Sequence, residues 1–333
     1  MAKRRLTQQQ QRRIQGNQQQ RIARAKHDEA EQILDSPEQS GLVIANYGKQ
    51  LVIETADAEH ILCRSKQNLG SVVCGDQVIY QTSEEEQRGL IVAILPRRSF
   101  LSRPGFAGKI KAIAANIDRI FIVTAAIPEL NEGMLDRYLV AAEQNELEAI
   151  IVFNKLDLLD EQQRAEIETR LCLYRELGYK VIYTSSKLEH GLEQLLQELE
   201  QYTSIMVGQS GVGKSSLIQQ LLPATEIRIG EISEATGKGA HTTTTSRLYH
   251  LDSGGDLIDS PGVREFGITE ISSEELTAAF REFRPVLGHC QFRNCDHLEQ
   301  SAGCAIVAAI STGDVSKQRY LSYLRIRESL VAD

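Results

Sequence analysis

One octapeptide constrains this chain more than any other feature. Gly208-Gln209-Ser210-Gly211-Val212-Gly213-Lys214-Ser215 stands between the apolar run TSIMV and the helix-type run SLIQQLL that begins at Ser216. It satisfies G-x-x-x-x-G-K-[ST] in the strand-to-helix setting the motif requires. Gly211 and Gly213 let backbone N–H groups turn inward around phosphate oxygens, and the positive end of the helix dipole adds to the pull. Lys214 then faces the β- and γ-phosphates, while the Ser215 hydroxyl completes a Mg²⁺ shell. Such a loop needs a sheet whose strand ends present it. The apolar runs RIFIVTAA, AIIVFN, KVIYTS, TSIMVG and LIDSPG alternate with MLDRYLVAAEQ, QQRAEIETRLCLYREL and LEQLLQELEQ. Strand–helix alternation of this kind predicts an α/β domain on a parallel sheet, with ligand loops at the strand C-termini.

Two further loops select the base. Asn154-Lys155-Leu156-Asp157 closes the run AIIVF. A carboxylate at Asp157 accepts two hydrogen bonds from the ring N–H and exocyclic amine of guanine, a donor pair adenine lacks, and the Lys155 stem covers the ring. The run KVIY ends in Thr184-Ser185-Ser186-Lys187, a partner loop whose backbone and Lys187 approach the guanine carbonyl. Asp259-Ser260-Pro261-Gly262 fits D-x-x-G, with Asp259 expected to hold Mg²⁺ through water and the Gly262 N–H to sense the γ-phosphate. GTP and GDP are the expected ligands.

In an ordinary GTPase the phosphate motifs come first and the guanine motifs last; here the order is reversed. A parallel sheet fixes loop positions whatever the connectivity, so a circularly permuted P-loop GTPase domain is expected. In this order of motifs the chain resembles the ribosome small subunit-dependent GTPase family (RsgA or YjeQ), over roughly residues 38–310. The likeness includes Arg97-Arg98-Ser99-Phe100-Leu101-Ser102-Arg103-Pro104 and Ala114-Ala115-Asn116-Ile117-Asp118. It implies an OB-fold barrel, a permuted GTPase domain and a zinc module. It also implies late maturation of the small ribosomal subunit, with the subunit and its rRNA as partners.

The Gly-rich segment from Gly237 through His241-Thr242-Thr243-Thr244-Thr245 is polar enough to reorder around a γ-phosphate, and Thr242 or Thr243 is the expected Mg²⁺ ligand. Many GTPases place a water-orienting Gln directly after the D-x-x-G glycine; here that position is Val263. Slow intrinsic hydrolysis follows. His241 is the available side chain for positioning water, a role the resemblance supports. Cys290, Cys295, His297 and Cys304 give C-x₄-C-x-H-x₆-C, three thiolates and an imidazole suited to tetrahedral structural Zn²⁺. His289 adjoins Cys290 and is the poorer-spaced alternative.

Upstream, residues 41–98 hold five short β-type runs, GLVIANYG, QLVIETADAEH, ILCRS, VVCGDQVIYQT and GLIVAILP. That spacing predicts a small barrel, although a five-stranded SH3-type or sandwich sheet reads alike. The expected organisation is a basic arm over 1–37, the barrel over 38–98, a linker over 99–113, the GTPase domain over 114–275 and a helical zinc-binding domain over 276–333. Eight of the 37 Lys and Arg side chains fall in residues 1–27, which hold no acid, so the rest is more acidic than the net −8 suggests. Such an arm suits phosphate contact, as do Arg97, Arg98 and Arg103. With 41% hydrophobic and 25% charged residues the chain can bury a core. No apolar run approaches the roughly 18 residues of a bilayer span. A cytoplasmic monomer without membrane contact is expected, acting as a ribosome biogenesis GTP hydrolase stimulated by the small subunit. The alternative is a nucleotide-gated rRNA-binding module that hydrolyses little.

Overall fold

The computed structural model describes residues 36–48, 50–83, 88–104, 110–222, 246–260, 268 and 271–331. Five strands come first: β1 (Gln39–Asn46), β2 (Leu51–Glu54), β3 (His60–Ser65), β4 (Gln77–Ser83) and β5 (Arg88–Ile94). They pair in the order β1-β2-β3-β5-β4, and β4 returns to pair with β1, which closes an OB-like barrel. The β3–β5 pair is parallel and the other pairs are antiparallel. Alternation places Val43, Leu51, Ile53, Cys63, Val78, Tyr80 and Ile91 in the barrel interior.

The segment read as a linker carries a two-stranded antiparallel ribbon, β6 (Phe100–Pro104) and β7 (Ile110–Ala115). Its flanks are stitched to the barrel. Gly75 has φ +88°, and a Cβ there would meet the Ala115 carbonyl oxygen at 2.1 Å, so only glycine permits this approach. Asn116 Nδ2 donates to the Gly75 carbonyl at 2.7 Å. Arg97 forks onto the fully buried Asp76 (Nε to Oδ1 2.7 Å, Nη2 to Oδ2 2.9 Å) and also donates to the Ser71 carbonyl. This corrects its reading as a phosphate contact, because the guanidinium is committed to a buried carboxylate. Arg98 pairs with Asp118 but keeps a 68% exposed side chain.

The α/β unit follows: β8 (Arg119–Ala125), α1 (Glu132–Gln144), β9 (Glu148–Asn154), α2 (Glu161–Glu176), β10 (Lys180–Tyr183), α3 (Glu193–Leu199), β11 (Thr203–Val207), α4 (Lys214–Leu221), β12 (Ser246–His250) and β13 (Asp256–Asp259). The spatial order is β10-β9-β8-β11-β13-β12, parallel except for β12. Helices cover both faces, which is why these strands read as unbroken apolar runs. Ile120, Ile122, Ile151, Phe153, Ile205 and Val207 face α1 and α2. Phe121, Val123, Ile150, Val152 and Met206 face α3 and α4. Helix α1 begins where the Asn131 side chain accepts the Met134 N–H, and α2 begins at an Asp160–Gln163 capping box. Antiparallel pairing of β12 with β1 joins this sheet to the barrel.

The last helices are α5 (Ser273–Ala279), α6 (Ala305–Thr312) and α7 (Lys317–Val331), with a 3₁₀ turn over Arg281–Val286. Phe280 stacks on Phe283 and Tyr320 on Tyr323, Tyr323 meets both phenylalanines edge to face, and the four extend the core lying under α1. At that seam the buried Arg319 donates to Asp136 and to Glu282. No described helix is long and apolar enough to cross a membrane.

Candidate functional site

The phosphate loop, Gly208 to Gly213, leaves the C-terminal end of β11 and enters α4, with Lys214, Ser215 and Ser216 in the first helical turn. Gly208, Gly211 and Gly213 all have positive φ (139°, 85° and 98°), the region in which side chains are strained. A Cβ on Gly208 would strike the Val123 carbonyl oxygen at 2.2 Å, and one on Gly213 would strike Asn154 Nδ2 at 2.4 Å. The loop is therefore shaped by its neighbours on β8 and β9. Lys214 Nζ donates to the Gly208 and Gln209 carbonyls at 2.7 and 2.8 Å, which holds the ammonium at the mouth of the loop. Gln209, Ser210, Ser215 and Ser216 are exposed, whereas Val212 is buried and anchors the loop from below.

Asn154 sits at the end of β9, next to β8. Its Nδ2 donates to the Val212 carbonyl at 3.0 Å, and its Oδ1 accepts the Thr184 hydroxyl at 3.1 Å. One buried amide thus ties the glycine-rich loop to the loops that close β9 and β10. Lys155 follows in the left-handed region (φ 62°) and its Nζ donates to the Ile127 and Gly211 carbonyls, each at 2.6 Å. Leu156 opens a 3₁₀ turn, and its N–H donates to the Thr184 carbonyl at 3.2 Å.

Asp157 Oδ1 accepts the Ser185 hydroxyl at 2.6 Å, and Lys187 Nζ stands 3.6 Å from Oδ2. The Ser185 hydroxyl, with help from Lys187, holds the Asp157 carboxyl below its ordinary range. It stays ionised and acceptor-only, the state that the two N–H donors of guanine require. The Lys187 N–H donates to Ser185 Oγ at 3.1 Å, and Gln220 of α4 donates to the Ser186 carbonyl at 3.0 Å. Asp259 ends β13, which lies beside β11, so the acid emerges exposed on the same sheet edge as the phosphate loop. Ser260 shares a 2.7 Å hydroxyl contact with Ser246. His241, Thr242, Thr243 and Gly262 lie outside the described residues.

Motif reading missed the loop after β8. The Ile127 carbonyl receives Lys155, and Pro128 Cδ lies 3.6 Å from a Cβ built on Gly211. A proline just past the apolar run of β8 and just before the Asn131 cap was the available signal.

Cys290, Cys295, His297 and Cys304 bring their ligand atoms within 4.8 Å of one another, and His289 is not among them. His297 Nδ1 lies 3.6 Å from Cys290 Sγ and 3.6 Å from Cys304 Sγ. A tetrahedral ion with Zn–S of about 2.3 Å and Zn–N of about 2.0–2.1 Å sets that separation near ~3.6 Å. Cys304 caps α6, and the Ala305 N–H donates to Cys290 Sγ at 3.4 Å. Burial pushes the Cys304 thiol up to about 11 and His297 down. A neutral imidazole suits a ligand, and thiolates buried here need a neighbouring positive charge. The donor set therefore fits zinc.

These sites can be compared with known proteins. The RsgA GTPase family model matches residues 94–269. A small ribosomal subunit biogenesis GTPase RsgA of Hahella chejuensis is 48% identical over 340 residues, covering 99% of this chain and 97% of that protein. The protein of the same name from Pseudomonas aeruginosa PAO1 is 45% identical over 336 residues, covering 99% and 98%. The crystal structure of YjeQ from Thermotoga maritima superposes with a TM-score of 0.72 at 32% identity, over 89% of this chain and 100% of that one. YloQ, described as a circularly permuted GTPase, gives 0.68 at 28% identity, over 89% and 96%. Motif order, sheet order and likeness along nearly the whole length agree, and the chain belongs to the RsgA GTPase family.

Proposed function

We propose that this chain is a ribosome biogenesis GTPase that binds the small ribosomal subunit and its rRNA and hydrolyses GTP to GDP and phosphate during late subunit maturation. The observation that carries the reading is the Asn154 amide, which joins the phosphate loop to the guanine-selecting loops in a chain whose motifs run in permuted order. The names of the relatives support the partner. In this reading Asp157 selects guanine, Lys187 and the loop from Thr184 frame its carbonyl edge, and Lys155 covers the ring. The N–H groups from Gly208 to Ser216 hold the phosphates, with Lys214 as their charge partner. Ser215, Asp259 and one of Thr242 and Thr243 would hold Mg²⁺, which supplies charge neutralisation on the β- and γ-phosphates. Gly262 senses the γ-phosphate, and His241 positions the attacking water in place of the Gln that Val263 displaces.

Cys290, Cys295, His297 and Cys304 would hold a structural zinc that fixes the loop before α6. Four protein ligands leave it no open position for chemistry. The chain acts as a cytoplasmic monomer. Steady-state phosphate release from GTP, with ATP as control, tests the reading with and without purified small subunits. GTP-selective turnover that rises at least tenfold with subunits is expected, with His241→Ala lowering kcat and leaving GDP affinity unchanged. Val263 favours a second reading, a nucleotide-gated rRNA-binding module. Nucleotide-dependent subunit binding with unstimulated turnover would select it.

A further inference from the structure

Of the four residues in the cysteine–histidine cluster, His297 alone has a left-handed backbone, with φ +57°. A side chain in that region carries a steric cost, so its surroundings must hold it there. The ring is not steadied from behind. Metal-binding imidazoles ordinarily donate their second N–H to an acceptor, but among the described residues His297 Nε2 has none, while Nδ1 faces Cys290 and Cys304. The aim of the ring therefore depends on the backbone that carries it.

That backbone is gripped on both sides of the His297 Cα. Arg327 donates to the Asp296 carbonyl, which belongs to the peptide unit before that Cα. The Tyr320 hydroxyl donates at 2.9 Å to the His297 carbonyl, which belongs to the unit after it. Fixing one plane sets φ and fixing the other sets ψ, because these are the two soft rotations of a residue. Both donors stand on α7, two helical turns apart and so on one face. The Ser301 hydroxyl also bonds to the Leu298 N–H and to the Asp296 carboxylate, but those contacts join the loop to itself. Tyr320 and Arg327 join it to the rest of the fold.

Helix α7 is itself fixed by contacts that do not involve the cysteines. Arg319 donates to Asp136 of α1 and to Glu282, Tyr323 meets Phe280 and Phe283 edge to face, and Ser329 accepts from Arg137 of α1 at 2.8 Å. Tyr320 is 1% exposed, so packing settles where its hydroxyl points. The helix thus offers both donors already in place, and the loop meets them with His297 left-handed.

We propose that Tyr320 and Arg327 are positioning residues of the metal site, holding His297 left-handed so that Nδ1 is presented to the thiols. The proposal rests on the zinc reading of this cluster. Its test measures zinc release from the full chain to a chromogenic chelator, after atomic emission has given the metal content. Tyr320→Phe and Arg327→Gln are each expected to release zinc about tenfold faster than the unaltered chain. Arg327→Lys, which keeps a donor, recovers most of that loss. Tyr323→Phe is the control, since it takes a buried hydroxyl, 3.2 Å from that of Thr277, off the same helix without touching the loop, and it releases zinc at the unaltered rate. Arg327 is only half-buried, so Arg327→Gln keeps the test meaningful where Tyr320→Phe fails to fold. Release at the unaltered rate by Tyr320→Phe and Arg327→Gln, or equally fast release by Tyr323→Phe, overturns the positioning role and leaves the zinc assignment standing. An unaltered chain that carries no zinc overturns both.

Discussion

Gly213→Ala is the sharpest test of how the nucleotide site is held. Gly213 has φ +98°, and a Cβ there would stand 2.4 Å from Asn154 Nδ2. Asn154 is 2% exposed and bonded on both sides, to Val212 at 3.0 Å and to Thr184 at 3.1 Å. It cannot step aside without stranding the Val212 carbonyl. A side chain in the left-handed region costs roughly 1–2 kcal/mol, and an orphaned buried polar group roughly 1–3 kcal/mol. Together these oppose the shape of the glycine-rich loop by about 2–5 kcal/mol, which is about 30- to 5,000-fold in affinity. Gly211→Ala is the internal control. Gly211 also has positive φ, +85°, but its nearest neighbour is Pro128 Cδ at 3.6 Å. Only the conformational cost remains, roughly 1–2 kcal/mol or about 5- to 30-fold. Equilibrium titration with a fluorescent GDP analogue reads both variants. Equal losses, or a larger loss at Gly211, would refute the claim that Asn154 braces the loop.

Three other outcomes follow from the geometry. Arg97→Ala removes the fork from the fully buried Asp76 and lowers unfolding stability by about 3–5 kcal/mol in urea titrations, whereas Arg98→Ala, 68% exposed, stays within about 0.5 kcal/mol. His250 is raised to about 9, first by its hydrogen bond to Asp256 and then by Glu54 across the barrel seam. Its contribution is present in full below the ordinary value near 6.5 and disappears as pH rises through about 9. Half-exposure limits it to under about 1 kcal/mol, so His250→Gln flattens the stability profile between pH 6.5 and 9 by that amount. Cys290→Ser or chelation lowers bound zinc, measured by atomic emission, and lowers the melting temperature of the full chain. Unchanged metal content would remove the zinc assignment.

The glycine-rich loop after β11 and the loops that close β9 and β10 were legible as strand ends because each is a short local string following an apolar run. The barrel strands were legible as a spacing, but their closure rests on β4 returning to β1, with partners such as Gln39 and Tyr80 that are far apart in sequence. The same distance hid the ribbon at 100–115. Its anchors, Asn116 on the Gly75 carbonyl and Arg97 on Asp76, join residues 41 and 21 positions apart. Arg97 shows why charge alone misleads. A guanidinium beside Pro96 and Arg98 reads the same whether it faces phosphate or clamps a buried acid, and only the fold brings Asp76 to it. Asp136 and Arg319, 183 positions apart, were invisible for the same reason.

Permutation explains where the flanking units attach. The chain enters the sheet at β8, builds outward through β9 to β10, returns to β11, and finishes on β13 beside β12. Both junctions with the added units therefore fall at inner strands. The barrel and ribbon feed β8, and β13, whose end carries Asp259, leads on to the helices that flank the cysteine-bearing loop. In the unpermuted order the trailing addition would hang beyond β10, the strand of this sheet farthest from the barrel, instead of from β13. β12 would otherwise be a bare edge strand, exposed to pairing with other chains. The barrel covers it through Ala45 with Arg247 and Asn46 with Ser246. The Arg247 guanidinium reaches the Tyr47 hydroxyl at 3.0 Å, and His250 reaches Glu54. Displacement of β12 must either break those contacts or carry the barrel with it. The strand that follows the threonine-rich segment is thereby bound to the barrel, and the strand that ends in Asp259 runs on in the chain to the helices that flank the cysteine-bearing loop.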